Sequence, residues 1–526
     1  MLSFVLLAAI PAPSNATDIL IDRNRIDRAR APVARRAHAP AKPRTIVDAK
    51  GVGTPITGIA FEGAQAPAAV AAAARTFLGK PANAELLQLL AAALSTAYGD
   101  SDVALYTVAI PDQDFSAGTV RVLLTEGHVA SVKLAAPDGR HPLLRKRLAP
   151  LLDEKPLTRA TFERQVTLAQ AIPGLTFASD FQDPDGTGAL ALVVTPKQKA
   201  RKASLGYSNR GVDLLGDGQF DGKLEFNGLA TDGDQLSFNA SAATDFKHFR
   251  YGSAAYAVPL SASGLSLSAS GAYLETRPKG LNVIGRAKLA GVTLSYPLVR
   301  SFKRSADISL GIDGLNSDNA AFGNIIATER TRAVRGAASY AVNGERRGVS
   351  VSGSLSKGID LLGARVTRPL ADATFLKANL AVSAAQQIGT RLVARVSASG
   401  QYSRDRLPAA ERFAVGGEGS GRAFDTSLLS GDRGASGSAE LAFRPVKAAA
   451  FAQSEVYGFV DGGVVGVLDR GFGRRVGYGL ASSGIGVRAR YREKAELGLE
   501  AARAVDDPYP GYGEDWRVSV AWRLSL

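Results

Sequence analysis

Residues 413–441 read FAVGGEGSGRAFDTSLLSGDRGASGSAEL and differ sharply from the sequence on either side. The stretch is rich in glycine, and its single arginine in the first half, Arg422, stands two positions before the aromatic Phe424. Connections longer than about 12–15 residues are usually either functional or disordered. Because segments with strand-like alternation flank the stretch on both sides, we predict a long connection of a β-barrel that folds back into the lumen.

This stretch resembles, residue by residue, the inward-folded loop of the Omp85 superfamily, and most closely that of the haemolysin secretion/activation (filamentous-haemagglutinin transporter) branch. The shared motif residues are Gly416, Gly417, Arg422, Phe424, Gly431 and Asp432. The chain departs from the branch at Gly421, where valine is usual, and at Ala423, where glycine is usual. The resemblance implies an outer-membrane transporter whose loop lies against the inner wall of its barrel.

A second motif, YGFVDGG at residues 457–463, is similar to the F-x-D-x-G strand motif of the same branch. In that branch, the arginine of the inward loop meets the aspartate of this strand on the barrel wall. Carried over to this sequence, the resemblance implies that Arg422 contacts Asp461. A guanidinium donates through a rigid fork that a carboxylate accepts with two oxygens, so this contact is suited to fixing a long loop.

The composition limits the classes of protein to which the chain can belong. Its 526 residues include 63 basic and 49 acidic side chains, a net charge of +14, and no cysteine. A chain of this length predicts two or more domains. Without cysteine, neither a disulfide scaffold nor a thiolate site can form. The arginines are spread over alternate strand positions instead of one patch, which indicates solvated strand faces or a polar lumen, and we predict no nucleic-acid partner.

The sequence contains no motif that would support catalysis or cofactor binding. The four histidines lie far apart and match no metal-ligand spacing, and no nucleophile elbow, Walker A or dinucleotide fingerprint stands in its structural context. Glu496 and Glu500 share a strand face, which solvation in a polar lumen explains. We therefore predict no enzymatic activity, no cofactor and no metal.

The N-terminal residues have two distinct compositions. The apolar run from Leu2 to Pro11 is shorter than a membrane-spanning helix. It predicts a signal peptide over residues 1–16. Residues 17–50 are rich in Arg, Ala and Pro, which favours a basic linker. The family resemblance alternatively implies an N-terminal helix that can plug the barrel.

Residues 51–128 predict a compact α+β domain. The pattern indicates a strand at Ile56–Phe61, a helix at Ala66–Leu78, a second helix capped by Asn83, and strands at Val103–Ile110 and Thr119–Leu124. In the second helix the predicted buried stripe is Leu86, Leu89, Leu90, Ala93, Leu94 and Ala97. The order β-α-α-β-β, together with the segment IPDQDFSAGTVRVLLTEGHVASVKL, resembles a polypeptide-transport-associated (POTRA) domain.

Residues 129–200 predict a second POTRA domain. A strand at Val129–Leu134 precedes helices at Leu143–Leu152 and Thr158–Ile172, and alternation at Leu190–Val194 predicts a last strand. An exposed strand edge beside a helix can bind an extended peptide by strand addition, so the partner-binding positions are expected on POTRA edges within 51–200. The alternative is a pair of rigid spacers.

Residues 204–526 alternate between apolar and polar side chains. In the last segment, Val518, Val520 and Trp522 alternate with Arg517 and Ser519. Outer-membrane strands take roughly 20 residues each with their turns, so this length predicts an antiparallel transmembrane barrel of about 16 strands. A soluble sandwich shows the same period. The number of consecutive strands favours the barrel.

Together these features predict a two-partner secretion transporter in the outer membrane of a Gram-negative cell, with periplasmic POTRA domains. It would export a large exoprotein unfolded through the barrel. The expected partners are this exoprotein, outer-membrane lipid and, during biogenesis, the barrel assembly machinery. The alternatives are an assembly factor of the same superfamily, a passive porin with a periplasmic appendage, and a secreted β-rich adhesin.

Overall fold

The structure is a computed structural model, and its described residues form two compact units. The first contains the described residues from Arg44 to Gln198 with Arg300–Phe302, and the second contains those of Lys199–Val299 and Lys303–Leu526. Described are residues 44–45, 53–137, 139–182, 188–321, 324–367, 370–446, 448–451, 453–470, 476–492, 494–509, 512–513 and 515–526. The predicted signal peptide at 1–16 and nearly all of the predicted linker or plug helix at 17–50 lie outside the described residues.

The first unit begins with a four-stranded sheet and two helices. The elements are β1 Arg44–Thr45, β2 Gly58–Gly63, α1 Ala68–Arg75, α2 Ala84–Gly99, β3 Tyr106–Ile110 and β4 Thr119–Glu126. The strand order is β1-β3-β4-β2, in which β3 and β4 are antiparallel and the outer strands are parallel to their neighbours. The predicted β-α-α-β-β order is therefore present. Strands β2 and β3 begin later than the alternation suggested, whereas β4 begins at Thr119 as predicted.

The buried face of helix α2 differs in part from the predicted stripe. The buried residues are Leu87, Leu90, Ala91, Leu94 and Tyr98. Of the predicted stripe, Leu90 and Leu94 are buried and Leu86, Ala93 and Ala97 are partly buried against the same core. The prediction was wrong at Leu89, which is 54% exposed. The helix is apolar around most of its circumference, and Tyr98 selects the buried face by stacking on Tyr106 at 4.9 Å and donating to Glu126. Burial and the Glu126 carboxylate raise the pKa of the Tyr98 hydroxyl.

The same unit continues with a second sheet. Its elements are β5 His128–Leu134, α3 Pro142–Leu148, a 3₁₀ turn Ala149–Leu152, α4 Arg159–Gln170, β6 Leu175–Gln182 and β7 Ala189–Gln198. The order is β5-β7-β6, with β5 parallel and β6 antiparallel to β7. Sequence analysis did not predict β6, in which the alternation of Leu175, Phe177 and Phe181 is interrupted by Ser179.

The two sheets are joined by a single residue, Gly127, between β4 and β5. A Cβ atom at Gly127 would lie 3.1 Å from the Cβ of Leu105 and 3.3 Å from Leu190 Cδ1, which explains the glycine. The amide of Gly127 donates to the Leu105 carbonyl at 2.8 Å, and the Leu157 amide donates to the Gly127 carbonyl at 3.1 Å. These bonds connect the two domains without a flexible linker.

Arg159, the first residue of α4, reinforces this joint. Its guanidinium donates to the carbonyls of Ser101 at 2.9 Å, Val103 at 3.3 Å and Tyr98 at 3.4 Å. These carbonyls lie at and just after the C-terminus of α2, where a helix favours positive charge. One side chain of the second domain thus caps a helix of the first.

Replacing Arg159 with alanine is expected to loosen the joint. Hydrogen bonds to a charged group contribute about 1.5–3 kcal/mol, so segment 101–104 should become cleavable tenfold faster or more. Limited proteolysis of the full-length protein in detergent measures this rate. Arg159→Lys, which keeps the charge but not the fork, should be intermediate, and an alanine variant cleaved at the wild-type rate would contradict the clamp.

The second unit is a closed antiparallel barrel. Its described strands are β8 Arg201–Ser208, β9 Gln219–Asn227, β10 Gln235–Ala243, β11 Phe249–Pro259, β12 Ser266–Thr276, β13 Val283–Arg300, β14 Arg304–Ala321, β15 Asn324–Asn343, β16 Arg347–Gly358, β17 Leu376–Ile388, β18 Leu392–Ser403, β21 Arg433–Phe443, β22 Glu455–Val467, β23 Val476–Tyr491, β24 Ala495–Asp506 and β25 Trp516–Ser525. Two short strands, β19 Phe413–Val415 and β20 Leu429–Gly431, pair only with each other. Strand β25 pairs with β8 and closes the cylinder, so the prediction of about 16 strands is confirmed.

Side chains alternate between the two faces of the barrel wall. On β22, Val456, Val460 and Val464 are 46–58% exposed, whereas Phe459 and Asp461 are buried. The outward face is therefore apolar and the inward face carries the polar groups, as in barrels that face lipid. In the described part of the chain, no helix is both long and apolar enough to cross a membrane.

The long connection runs from the end of β18 to the start of β21, residues 404–432. The predicted loop of 413–441 therefore began too late and extended too far, because 433–441 lie in β21. Small neutral side chains made that segment look like a loop in the sequence. In the barrel they are strand residues: Ser436 and Ser438 hydrogen-bond across the wall to Ser399 and Ser397.

Candidate functional site

The connection 404–432 lies inside the barrel. Val415 and Phe424 are fully buried, and Ala423 is 1% exposed. They pack in one cluster with Phe459 and Leu480, which point inward from β22 and β23. The prediction of an inward-folded connection agrees with this packing.

Glycines shape the tip of the connection. Gly416 has φ +110° and Gly417 has φ +85°, and a Cβ atom at Gly416 would lie 2.4 Å from the Asp425 carbonyl oxygen. Gly421, where the branch usually has valine, has φ +130°, and its Cβ would lie 2.3 Å from Leu480 Cδ1. In this chain a wall leucine occupies the space that a side chain at position 421 would need.

Arg422 and Asp461 meet as the family resemblance implied, but with a different geometry. The backbone amide of Arg422 donates to Asp461 Oδ1 at 3.2 Å, and Nε lies 3.1 Å from Oδ2 without the alignment of a hydrogen bond. The end of the guanidinium points elsewhere: Nη1 donates to Glu500 Oε2 at 3.0 Å and lies 3.5 Å from Glu440 Oε2. The guanidinium also covers the Phe459 ring at 4.0 Å.

Glu500 is a site residue that sequence analysis misinterpreted. The shared strand face predicts a solvated lumen acid, yet Glu500 is 4% exposed. It accepts hydrogen bonds from Arg422 at 3.0 Å and from the Tyr457 hydroxyl at 2.9 Å, and it forms an ion pair with Arg210 at 3.1 Å. Its strand neighbour Glu496 matches the original interpretation, since it is more exposed and pairs with an arginine of the wall. The expectation was thus wrong for one of the two acids.

Tyr457 reaches Glu500 because Gly486 lies between them. In the strand register Tyr457 pairs with Gly486, and Gly486 pairs with Glu500. A Cβ atom at Gly486 would lie 2.4 Å from the Tyr457 ring. The ring therefore crosses the whole of β23 above this glycine, and its hydroxyl fixes a carboxylate two strands away.

The wall around these acids is a network of paired charges. Arg488 donates to both oxygens of Glu440 at 2.7 and 2.8 Å, and Arg395 bridges Glu440 and Glu455. Arg488 also stacks on Tyr457 at 3.8 Å. Buried charges require such partners. The carboxylates that receive Arg422 are therefore held in place by the barrel itself.

Asp432, a predicted motif residue, joins both ends of the connection. It is fully buried and accepts from the amides of Leu407 at 2.8 Å and Leu468 at 2.7 Å. Arg470 donates to both of its oxygens at 2.7 and 3.1 Å. Leu407 lies near the start of the connection, so one carboxylate ties its beginning, its end and the turn after β22.

No metal-binding arrangement accompanies these charges within the described ranges, where no three His, Asp or Glu side chains are grouped to hold an ion. Of the four histidines, His128 is the first residue of β5, His141 directly precedes α3 and His248 directly precedes β11, and His38 is outside the described residues.

Two family models match the sequence. One, described as haemolysin secretion/activation protein ShlB/FhaC/HecB, matches residues 186–489, which is more than half of the chain. The chain belongs to this haemolysin secretion/activation protein family. A second model, POTRA domain of the ShlB type, matches residues 54–127. The comparison with curated proteins gives no match.

Solved structures show the same fold. CdiB from Escherichia coli is 17% identical with a TM-score of 0.67, covering 93% of this chain and 94% of that one. CdiB from Acinetobacter baumannii is 17% identical with a TM-score of 0.61, covering 94% and 95%. BamA from Haemophilus ducreyi lacking POTRA domains 1–3 is 13% identical with a TM-score of 0.55, covering 90% and 100%. At such identities the likeness concerns the fold alone.

Membership of the haemolysin secretion/activation family confirms the predicted transporter. The protein is an outer-membrane barrel of the two-partner secretion type with periplasmic POTRA structure, and its partner is a secreted exoprotein. The family is one of secretion channels, which favours this function over an assembly factor, a passive porin or a secreted adhesin.

Proposed function

We propose that residues 51–128 and 129–200 act as two POTRA domains that bind the exoprotein, that the barrel of 204–526 conducts it, and that Arg422 holds the inward connection in its working position. The observation that carries the proposal is the contact of one buried guanidinium with three wall carboxylates, those of Asp461, Glu500 and Glu440. A long connection has many alternative conformations. A buried charge surrounded by preplaced opposite charges selects one of them.

The strength of this anchor follows from its burial. An exposed ion pair contributes little, at most about 1 kcal/mol. Arg422 is only 8% exposed and its partners are 4–7% exposed. Removing one member of a buried ionic network leaves its partners uncompensated and costs roughly 3–5 kcal/mol. Such a loss changes the ratio of anchored to released connection by about a hundredfold or more.

The exoprotein is proposed to bind the free edge of β6. In the described sheet β6 is an outer strand, and residues Ala178–Asp180 in its middle are exposed. An outer strand offers unpaired backbone donors and acceptors to an extended chain.

A crosslinker at position 179 is expected to capture the exoprotein. The chain has no cysteine, so Ser179→Cys provides one attachment point for a photoreactive group. The matched control is Lys146→Cys on α3, which is also exposed but lies on a helix. Adducts at 179 and not at 146, observed during co-production with the exoprotein, would support strand addition at β6. Equal yields at both positions would reject it.

The remaining partners follow from the outer surface of the barrel. Its apolar ring is proposed to contact outer-membrane lipid, and the barrel assembly machinery is proposed to insert it. No nucleic-acid contact, cofactor or catalytic step is part of the proposal. The direct test is secretion of the co-produced exoprotein into the medium, which should require both the barrel and residues 53–198.

A further inference from the structure

The start of the inward connection has its own buried ionic cluster, separate from Arg422. Glu411 ends the 3₁₀ turn Ala409–Glu411 just before β19 and is 1% exposed. Its carboxylate accepts hydrogen bonds from Arg335 at 2.8 and 3.2 Å and forms an ion pair with the Lys377 ammonium at 2.8 Å. Both cations are 1% exposed. A bidentate arginine contact fixes the orientation of the carboxylate as well as its position.

The cluster is balanced in charge and extends to the backbone. Arg335 also pairs with Asp313, so two acids face two bases. Lys377 donates to the Glu411 carbonyl at 3.2 Å, and Gln401 donates to the same carbonyl at 2.9 Å. The wall therefore holds both the side chain and the main chain of Glu411.

This cluster occupies a different part of the wall from the Arg422 contacts. Asp313, Arg335 and Lys377 lie on β14, β15 and β17. The acids that receive Arg422 lie on β21, β22 and β24. The described contacts of the two clusters share no residue, so the Glu411 cluster attaches the connection to the barrel at a place separate from the Arg422 contacts and from the Asp432 tie.

We propose that Glu411 is a positioning residue: it seats the start of the connection on β15 and β17 and so presents Arg422 to its own acids. The inference rests on the proposed role of Arg422. Without the Glu411 contacts, the segment between Leu407, which the Asp432 carboxylate holds, and Arg422 samples many positions. Fixing residue 411, eleven positions before Arg422, shortens the segment that must find the second site and raises the fraction of barrels with Arg422 in place.

A single introduced cysteine reports whether the tip is in place. The natural chain has none, and Ala423, next to Arg422, is 1% exposed and similar in size to cysteine. In the Ala423→Cys background a water-soluble maleimide should label slowly. Adding Glu411→Gln, which removes the charge and keeps the shape, should raise the labelling rate tenfold or more and reduce exoprotein secretion, although Arg422 is unchanged.

Two variants control the experiment. Glu496→Gln removes a lumen acid that pairs with Arg490 on the wall but has no described contact with the connection, so labelling and secretion should stay at the starting level. Glu411→Asp keeps the charge and should restore most of the protection. If Glu411→Gln fails to give the compact band of a folded barrel in unheated SDS, Lys377→Met, which leaves Arg335 on Glu411, replaces it and should raise labelling to a smaller extent.

The outcomes separate the two proposals. Labelling at the starting rate in assembled Glu411→Gln and Lys377→Met would overturn the positioning role of Glu411, even if Arg422→Ala abolishes secretion. Faster labelling in Glu411→Gln combined with full secretion by Arg422→Ala would keep the second anchor and reject the proposed role of Arg422. Faster labelling by Glu496→Gln as well would reduce the effect to a general loosening of the lumen and overturn the inference.

Discussion

Arg422→Ala is expected to reduce the secreted exoprotein to less than about a tenth of the wild-type amount while the barrel assembles normally. The substitution leaves Asp461 and Glu500 buried with one cation fewer, at a cost of roughly 3–5 kcal/mol. It does not alter a wall strand, because Arg422 lies in the connection. The measurements are exoprotein in the medium and the compact barrel band in unheated SDS.

Two further variants test whether the loss of secretion is specific to the Arg422 contacts. Arg422→Lys keeps the charge but cannot reach Asp461 and Glu500 from separate nitrogens, so secretion should be intermediate. Arg490→Ala removes another lumen arginine, whose described partner is the wall residue Glu496, and should secrete normally. Wild-type secretion by an assembled Arg422→Ala barrel would show that the contact has no part in transport.

The barrel was predictable from the sequence because each strand carries its own two-residue period. In β25, for example, the alternation of the local sequence was enough to assign the apolar residues to one face. The connection was harder to delimit, since small residues of an inward wall, such as Ser436 and Ser438, resemble loop residues in composition. Strand β6 was missed because the alternation of Leu175, Phe177 and Phe181 is interrupted by Ser179.

The residues of the site also differ in how far the sequence could predict them. Arg422 and Asp461 each stand in a recognisable motif, so the resemblance named them together. Glu500 stands in no motif, and its proximity arises only when β22, β23 and β24 align across Gly486. Glu411 gave no periodic signal either, since its partners on β15 and β17 are 76 and 34 residues away, respectively. Contacts that depend on strand register could not be derived from a single sequence.

Asp432→Asn is expected to weaken the barrel itself, unlike Arg422→Ala. Asp432 is fully buried and accepts two amides and a bidentate arginine. In the asparagine variant, the side-chain NH₂ group would face at least one of these N–H donors and could not accept its hydrogen bond. Arg470 would also lose its full counter-charge. A cost of roughly 3–5 kcal/mol follows. The compact band should disappear at a heating temperature several degrees below that of the wild type.

The matched control is Asp405→Asn, in the same connection. Asp405 accepts the Leu376 amide at 2.6 Å but is only partly buried, so its loss should cost about 1 kcal/mol and shift the band little. Because Asp432 ties the start of the connection to its end and to the turn after β22, its loss should lower secretion and heat stability together. Arg422→Ala should lower secretion alone. A heat-stable Asp432→Asn barrel would show that the ends of the connection are held by other contacts.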